Sequence, residues 1–212
     1  MNEQGEIQIQ GHNLFSTPVA FAEIPKFEKL NAELRMAIEV RMDNQPTTSH
    51  SNLGGWQSTW DLADWCGDAA KKVLNHAVEM ANHLTCDRQG NPVEMDWHLN
   101  AWANVNSHGH GNEFHTHPGS FWSGTYFVDD GGTSEDNSLG GEFEIQDPRG
   151  IAPAMYAPNL AINIPGGLSV GVSETIPPKT GRMMIFPAWL SHAVRPYRGH
   201  QKRISIAFNL SV

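Results

Sequence analysis

The sequence predicts a mainly β protein, a double-stranded β-helix or jelly roll with two helices packed on one sheet. Two observations predict it. Apolar residues follow helical spacing in the first ninety or so positions, then change to short alternating runs from about residue 94. The chain also carries 20 Gly and 13 Pro, turn residues at a density that suits strands and loops better than a helical bundle. No internal repeat or linker interrupts the 212 residues, so the expectation is one domain with a helical portion over 1–93 and a jelly-roll core over 94–212.

The helices come first. After Pro25, the residues Phe27, Leu30, Leu34, Ala37, Ile38 and Met42 mark one apolar face. A second stripe, Leu62, Trp65, Ala69, Val73, Ala77, Met80 and Leu84, follows Asp61, a good N-cap residue. Both stripes are expected to be packing faces without function. The stretch 43–58 is polar and Gly-rich, and residues 7–22 contain extended-looking pieces.

The alternating runs predict strands at Met95–Asn106, Ser120–Val128, Gly141–Gln146, Leu160–Ile164, Leu168–Val172, Arg182–Phe186, His192–Arg195 and Arg203–Leu210. Turn clusters separate them at Asp129–Gly132, Asp147–Gly150, Pro165–Gly167 and Pro177–Gly181. Loops 129–141 and 147–159, rich in Gly, Asp and Pro, are candidates to cover a site at the mouth of the barrel.

A formal net charge of -9 argues against nucleic acid or an anionic membrane surface as partner, since either would repel the chain. Cys66 and Cys86 flank a helical segment that would hold them about 30 Å apart, so free thiols and a reducing, cytoplasmic setting are expected. Neither a signal core nor an apolar run of membrane-spanning length is present.

Histidine carries the chemistry. Four of the eleven histidines lie between residues 108 and 117. Side chains two apart on a strand share a face, which lets His115 and His117 offer two imidazoles to one metal ion. Far downstream, His192 follows an apolar strand and a Pro-containing turn. One strand later, Arg203 and Ser205 share one face, while Ile204, Ile206 and Phe208 share the other. A guanidinium forms a two-point pair with a carboxylate, and an arginine inside a barrel needs such a partner.

Taken in order, His115-Thr116-His117-Pro118, Ser123-Gly124-Thr125-Tyr126-Phe127-Val128, Asp147-Pro148-Arg149, Phe186 through His192 and Arg203 through Asn209 resemble a family of 2-oxoglutarate/Fe(II) oxygenases related to the prolyl hydroxylases. Gly55-Trp56-Gln57-Ser58 also fits, so the likeness spans most of the chain. The resemblance implies a non-haem Fe(II) centre at His115, His117 and His192, with 2-oxoglutarate as cosubstrate and its distal carboxylate on Arg203 and Ser205. It further implies decarboxylation of 2-oxoglutarate to succinate coupled to hydroxylation of a small-molecule or peptide substrate. Two departures stand out. His117 occupies the usual carboxylate position, for which Glu113, Asp129 or Asp130 are substitutes, Glu113 first by strand parity. Phe127 occurs where relatives often place a tyrosine, so Ser123 and Asn104 are the expected additions to the cosubstrate pocket, with Tyr126 facing the helices. Two other readings keep the same residues: a cupin-like three-histidine metalloenzyme without 2-oxoglutarate, and a non-catalytic metal or carboxylate sensor.

Overall fold

The computed structural model describes residues 9–150, 159–160, 171 and 173–212. Its strands run β1 Ala20–Glu23, β2 Asn52–Leu53, β3 Trp56–Gln57, β4 His98–Asn106, β5 Gly111–His115, β6 Trp122–Asp129, β7 Phe143–Gln146, β8 Ser173–Ile176, β9 Arg182–Pro187, β10 His192–Val194 and β11 Arg203–Ser211. Three α-helices, α1 Phe27–Asn44, α2 Leu62–Trp65 and α3 Gly67–Leu84, stand among them. Among the described residues the strands form two antiparallel sheets, ordered β1-β9-β6-β11-β4-β3 and β2-β5-β10-β7-β8.

Alternation along β11 divides the molecule. Ile204, Ile206, Phe208 and Leu210 join the core formed with Leu34 and Ile38 of α1 and Val73 and Ala77 of α3, so the helices cover the outer face of the larger sheet. Arg203, Ser205 and Ala207 face the other way, into the space between the sheets. A smaller apolar cluster, Phe143, Ile145, Met184, Phe186 and Leu190, closes part of that space. The helical stripes are therefore structural, as their spacing predicts: Val73 belongs to the outer core and Trp65 packs against it.

The expected strands at Met95–Asn106, Ser120–Val128, Gly141–Gln146, Arg182–Phe186, His192–Arg195 and Arg203–Leu210 all appear, with ends shifted by up to three residues. Those at Leu160–Ile164 and Leu168–Val172, and the turn at Pro165–Gly167, lie outside the described residues apart from positions 160 and 171. Five strands were not among those expected: β1, at the end of the extended-looking stretch 7–22, β2 and β3 in the polar stretch 43–58, β5 in the His-rich segment, and β8. The second helix is two, because Gly67 takes a φ of 70° and breaks the run after Cys66. Asp61 precedes α2 but makes no side-chain cap; its Oδ1 accepts a 2.5 Å hydrogen bond from Thr59 instead. Both cysteines are free thiols. Among the described residues, no helix is long and apolar enough to cross a membrane.

One polar link crosses the helix–sheet interface. The Tyr126 hydroxyl, on the helix-facing side of β6, donates to Asn31 Oδ1 at 2.6 Å, and Asn31 Nδ2 donates to the Val128 carbonyl at 2.7 Å. Both residues are buried, so removing one partner leaves the others unsatisfied and desolvated. Asn31→Leu is expected to cost about 2–3 kcal/mol in urea unfolding, and Tyr126→Phe about 1–2 kcal/mol. A loss below 0.5 kcal/mol for Asn31→Leu, roughly the level of a neutral surface change, would contradict this role.

Candidate metal centre and cosubstrate cavity

Sheet register brings the first two histidines together. His115 ends β5 and His192 begins β10, and their Cα positions are direct cross-strand partners. His117 lies two residues beyond β5, where its N–H donates to the Ala188 carbonyl at 3.0 Å. The ring centroids are 4.3 Å apart for His115–His192, 5.0 Å for His115–His117 and 5.2 Å for His117–His192. One nitrogen from each ring lies within 4.8 Å of the others, the spacing of ligands around a single ion.

The imidazoles are held ready to bind. His115 Nδ1 donates to the Glu113 carbonyl at 2.7 Å and His192 Nδ1 to the Leu190 carbonyl at 2.8 Å, which directs the Nε2 lone pair of each ring elsewhere. Burial pushes the His192 pKa down to about 3, helped by the neighbouring His115, and the His117 pKa down to about 4 for the same two reasons. Burial also lowers His115. All three are neutral at physiological pH, the state that coordinates a metal.

A small cavity runs from these rings into the barrel, and Asn104, Ser205 and Arg203 line it with them. Asn104 is the cross-strand partner of Ser205. Arg203 is 2% exposed, its Nε has no hydrogen-bond partner, and among the described residues no carboxylate pairs with it. Its guanidinium lies over the Phe127 ring, 5.4 Å from the centroid. Burial lowers its pKa to about 10, with Tyr197, Asp130 and Glu142 opposing, so it remains charged at neutral pH. An orphaned cation at the end of a cavity that begins at three neutral imidazoles fits a dianion reaching from a metal to the guanidinium. The residues present thus fit Fe(II) with 2-oxoglutarate.

Ser123 lies elsewhere. Its register partner on β11 is Asn209, six positions beyond Arg203, and its hydroxyl donates to Asn209 Oδ1 at 2.7 Å. At about 3.3 Å per strand residue that is roughly 20 Å from the Arg203 end, and Thr125 lines the cavity in its place. Tyr126 faces the helices as expected. The substitute carboxylates are not in the histidine cluster: Asp129 pairs with Arg35 of α1, and Asp130 accepts from the Gly132 and Thr180 backbone. Glu113 lines an outer cleft. Asn209, whose Nδ2 stands 3.4 Å from His117 Nδ1, is a site neighbour that the sequence reading missed. The parity of β11 reveals it, since Arg203, Ser205, Ala207 and Asn209 alternate with the buried apolar set.

Several solved structures share this fold. A prolyl-4-hydroxylase from Pseudomonas putida is similar at a TM-score of 0.60 and 12% identity, over 92% of this chain and 93% of that one. A Trichoplax adhaerens prolyl hydroxylase, solved with a hypoxia inducible factor oxygen degradation domain peptide fragment, has a TM-score of 0.60 and 14% identity over 91% and 83%. HygX from Streptomyces hygroscopicus, solved with nickel and 2-oxoglutarate, has a TM-score of 0.57 and 10% identity over 92% and 83%. These likenesses establish the class of fold, a double-stranded β-helix. No curated protein matches in sequence. Residues 100–209, a little over half of the chain, match the family described as "Putative 2OG-Fe(II) oxygenase". The chain belongs to that family and is a 2-oxoglutarate- and Fe(II)-dependent oxygenase.

The depressed histidine pKa values have a consequence for the metal-free protein. Below the ordinary value of 6.5 the unfolded chain takes up protons that folded His117 and His192 refuse until about pH 4 and 3. Stability contributed by these groups therefore falls as pH drops from about 6.5 towards 4. Thermal unfolding of the metal-free protein across this window is expected to show Tm falling with pH, with a shallower slope in His192→Leu. An unchanged slope in that variant would contradict the buried, neutral state of His192.

Proposed function

We propose that His115, His117 and His192 hold Fe(II), and that Arg203 and Ser205 grip the distal carboxylate of 2-oxoglutarate, with Asn104 beside them. The observation that carries this is the buried, unpaired guanidinium of Arg203 in the same cavity as the three imidazoles. Bound iron and 2-oxoglutarate supply the oxidising power: dioxygen is consumed, 2-oxoglutarate becomes succinate and CO2, and a substrate C–H bond becomes C–OH. The chain's own contribution is positional. The Glu113 and Leu190 carbonyls fix two imidazole rings, Phe127 supports the guanidinium from one face, and Phe143 and Phe186 keep the His192 side of the cavity apolar.

His117 is positioned through Asn209. For His117 to ligate through Nε2, its Nδ1 must carry the proton, and a half-turn of the Asn209 amide offers an oxygen to that N–H and an NH2 to Ser123. The free thiols of Cys66 and Cys86 support a reducing compartment, the cytoplasm, as the setting. The substrate is a small molecule or a peptide; the chain's net charge of -9 disfavours nucleic acid.

Three variants test the assignment. Arg203→Ala is expected to cost about 2–5 kcal/mol in 2-oxoglutarate binding, read by anaerobic calorimetry of the Fe(II) protein, with little change in metal affinity. Arg203→Met is expected to weaken 2-oxoglutarate similarly while stabilising the ligand-free protein by about 1–4 kcal/mol, because it removes a buried unpaired charge. Asn209→Leu is expected to lower metal affinity about 10–100-fold while the protein stays folded. Equal 2-oxoglutarate affinity in wild type and Arg203→Ala would contradict the cosubstrate role and favour a three-histidine centre that works without it.

A further inference from the structure

A second chamber, with a volume of about 520 Å³, opens outside the barrel cavity, and the family assignment leaves its occupant unstated. Ser51, Trp102, His115 and His117 line both spaces, so the two meet at the imidazoles. Its aromatic wall is continuous. Centroid separations are 5.7 Å from His117 to Trp102, 6.4 Å from Trp102 to Trp60 and 4.7 Å from Trp60 to His50. Trp60 is 51% exposed and lies against the His50 ring at an interplanar angle of 32°.

The charge on this wall is, among the described residues, of one sign. Among the described residues, Glu113 is the only acidic residue lining the cleft, no lysine or arginine lines it, and the Glu113 carboxylate has no ion pair. Gln57 lines it too, is 2% exposed, and its Oε1 has no hydrogen-bond partner. An anionic ligand would find no cation here and would meet the Glu113 carboxylate. A hydrocarbon would desolvate that carboxylate and leave the amide oxygen unsatisfied. A protonated amine suits all three features: indole faces attract cations, a carboxylate balances the charge, and the amide oxygen accepts an N–H. The chain's net charge of -9 draws cations towards the surface.

Resting on the oxygenase centre proposed above, we infer that the substrate docks in this cleft through a protonated amine held by Trp60, Trp102, Glu113 and Gln57. Trp102 stands between Trp60 and His117, so the cation is kept one ring away from the positive metal centre. The carbon atoms beyond the amine lie along Trp102, next to the His115–His117 face.

The test uses the full chain loaded with Zn(II) and 2-oxoglutarate, titrated with butylammonium, tetramethylammonium, butanol and butyrate by ligand-observed proton NMR. Butylammonium is expected to bind roughly tenfold tighter than butanol, and butyrate not at all. Glu113→Gln and Trp60→Ala should each bring butylammonium to within about threefold of butanol. Gln57→Leu should weaken butylammonium but not tetramethylammonium, which has no N–H. Butanol binding as tightly as butylammonium, measurable butyrate binding, or a cation preference that survives both Glu113→Gln and Trp60→Ala overturns the inference. The wild-type arm needs no variant to fold. Calorimetry of 2-oxoglutarate on the same samples separates the two readings. Normal cosubstrate binding without amine preference sinks the cleft inference alone, whereas failed cosubstrate binding sinks the oxygenase-centre assignment.

Discussion

The arrangement of this protein depends on one unbalanced charge. Arg203 is a cation enclosed between two sheets, packed over a phenyl ring and without a carboxylate partner among the described residues. Burying such a group costs several kcal/mol, which folding must recover elsewhere. The outer face of the same strand supplies part of the compensation, because Ile204, Ile206, Phe208 and Leu210 are fully or almost fully buried under the helices. Strand β11 therefore does two jobs on alternate residues: one face anchors the fold and the other holds a guanidinium where only a small anion can reach it. The helices contribute no site residue, yet their packing keeps β11 in place.

The metal centre and the aromatic cleft divide the remaining work. His115 and His192 come from paired strands of the smaller sheet, and His117 from the turn that follows, so the imidazoles stand at the boundary of two chambers. The inner chamber carries a cation for a dianion, and the outer one carries a carboxylate and indole faces. Replacing the usual carboxylate ligand with His117 raises the charge of the centre by about one unit. Among the described residues no carboxylate joins the ligand cluster, and Glu113 lies on the wall of the outer chamber.

Much of this was legible in the sequence because strand parity is a local rule. The alternation from Arg203 to Leu210 assigned both faces of β11 correctly, and the His-x-His spacing with a distal His192 marked the cluster. Parity also placed Tyr126 against the helices. Pairing between strands was not legible: nothing local says that Ser123 opposes Asn209 rather than a residue nearer Arg203. Two-residue edge strands have too little length to show a period, so β2 and β3 read as loop, and the nearby Trp60 escaped notice. Strand β5 was hidden by its polar, Gly-containing composition. Gly67 broke a stripe whose apolar spacing is continuous, because φ above zero leaves no mark on periodicity.

The central claim is that three imidazoles and one buried guanidinium form a single metal and cosubstrate site. Anomalous diffraction from crystals grown without oxygen in Fe(II) and 2-oxoglutarate tests it most directly. The account predicts one iron peak about 2.0–2.2 Å from a nitrogen of each of His115, His117 and His192, with the distal carboxylate of 2-oxoglutarate on Arg203 and Ser205. An iron peak that omits His117 or gains Glu113, or a 2-oxoglutarate carboxylate placed away from Arg203, would contradict it.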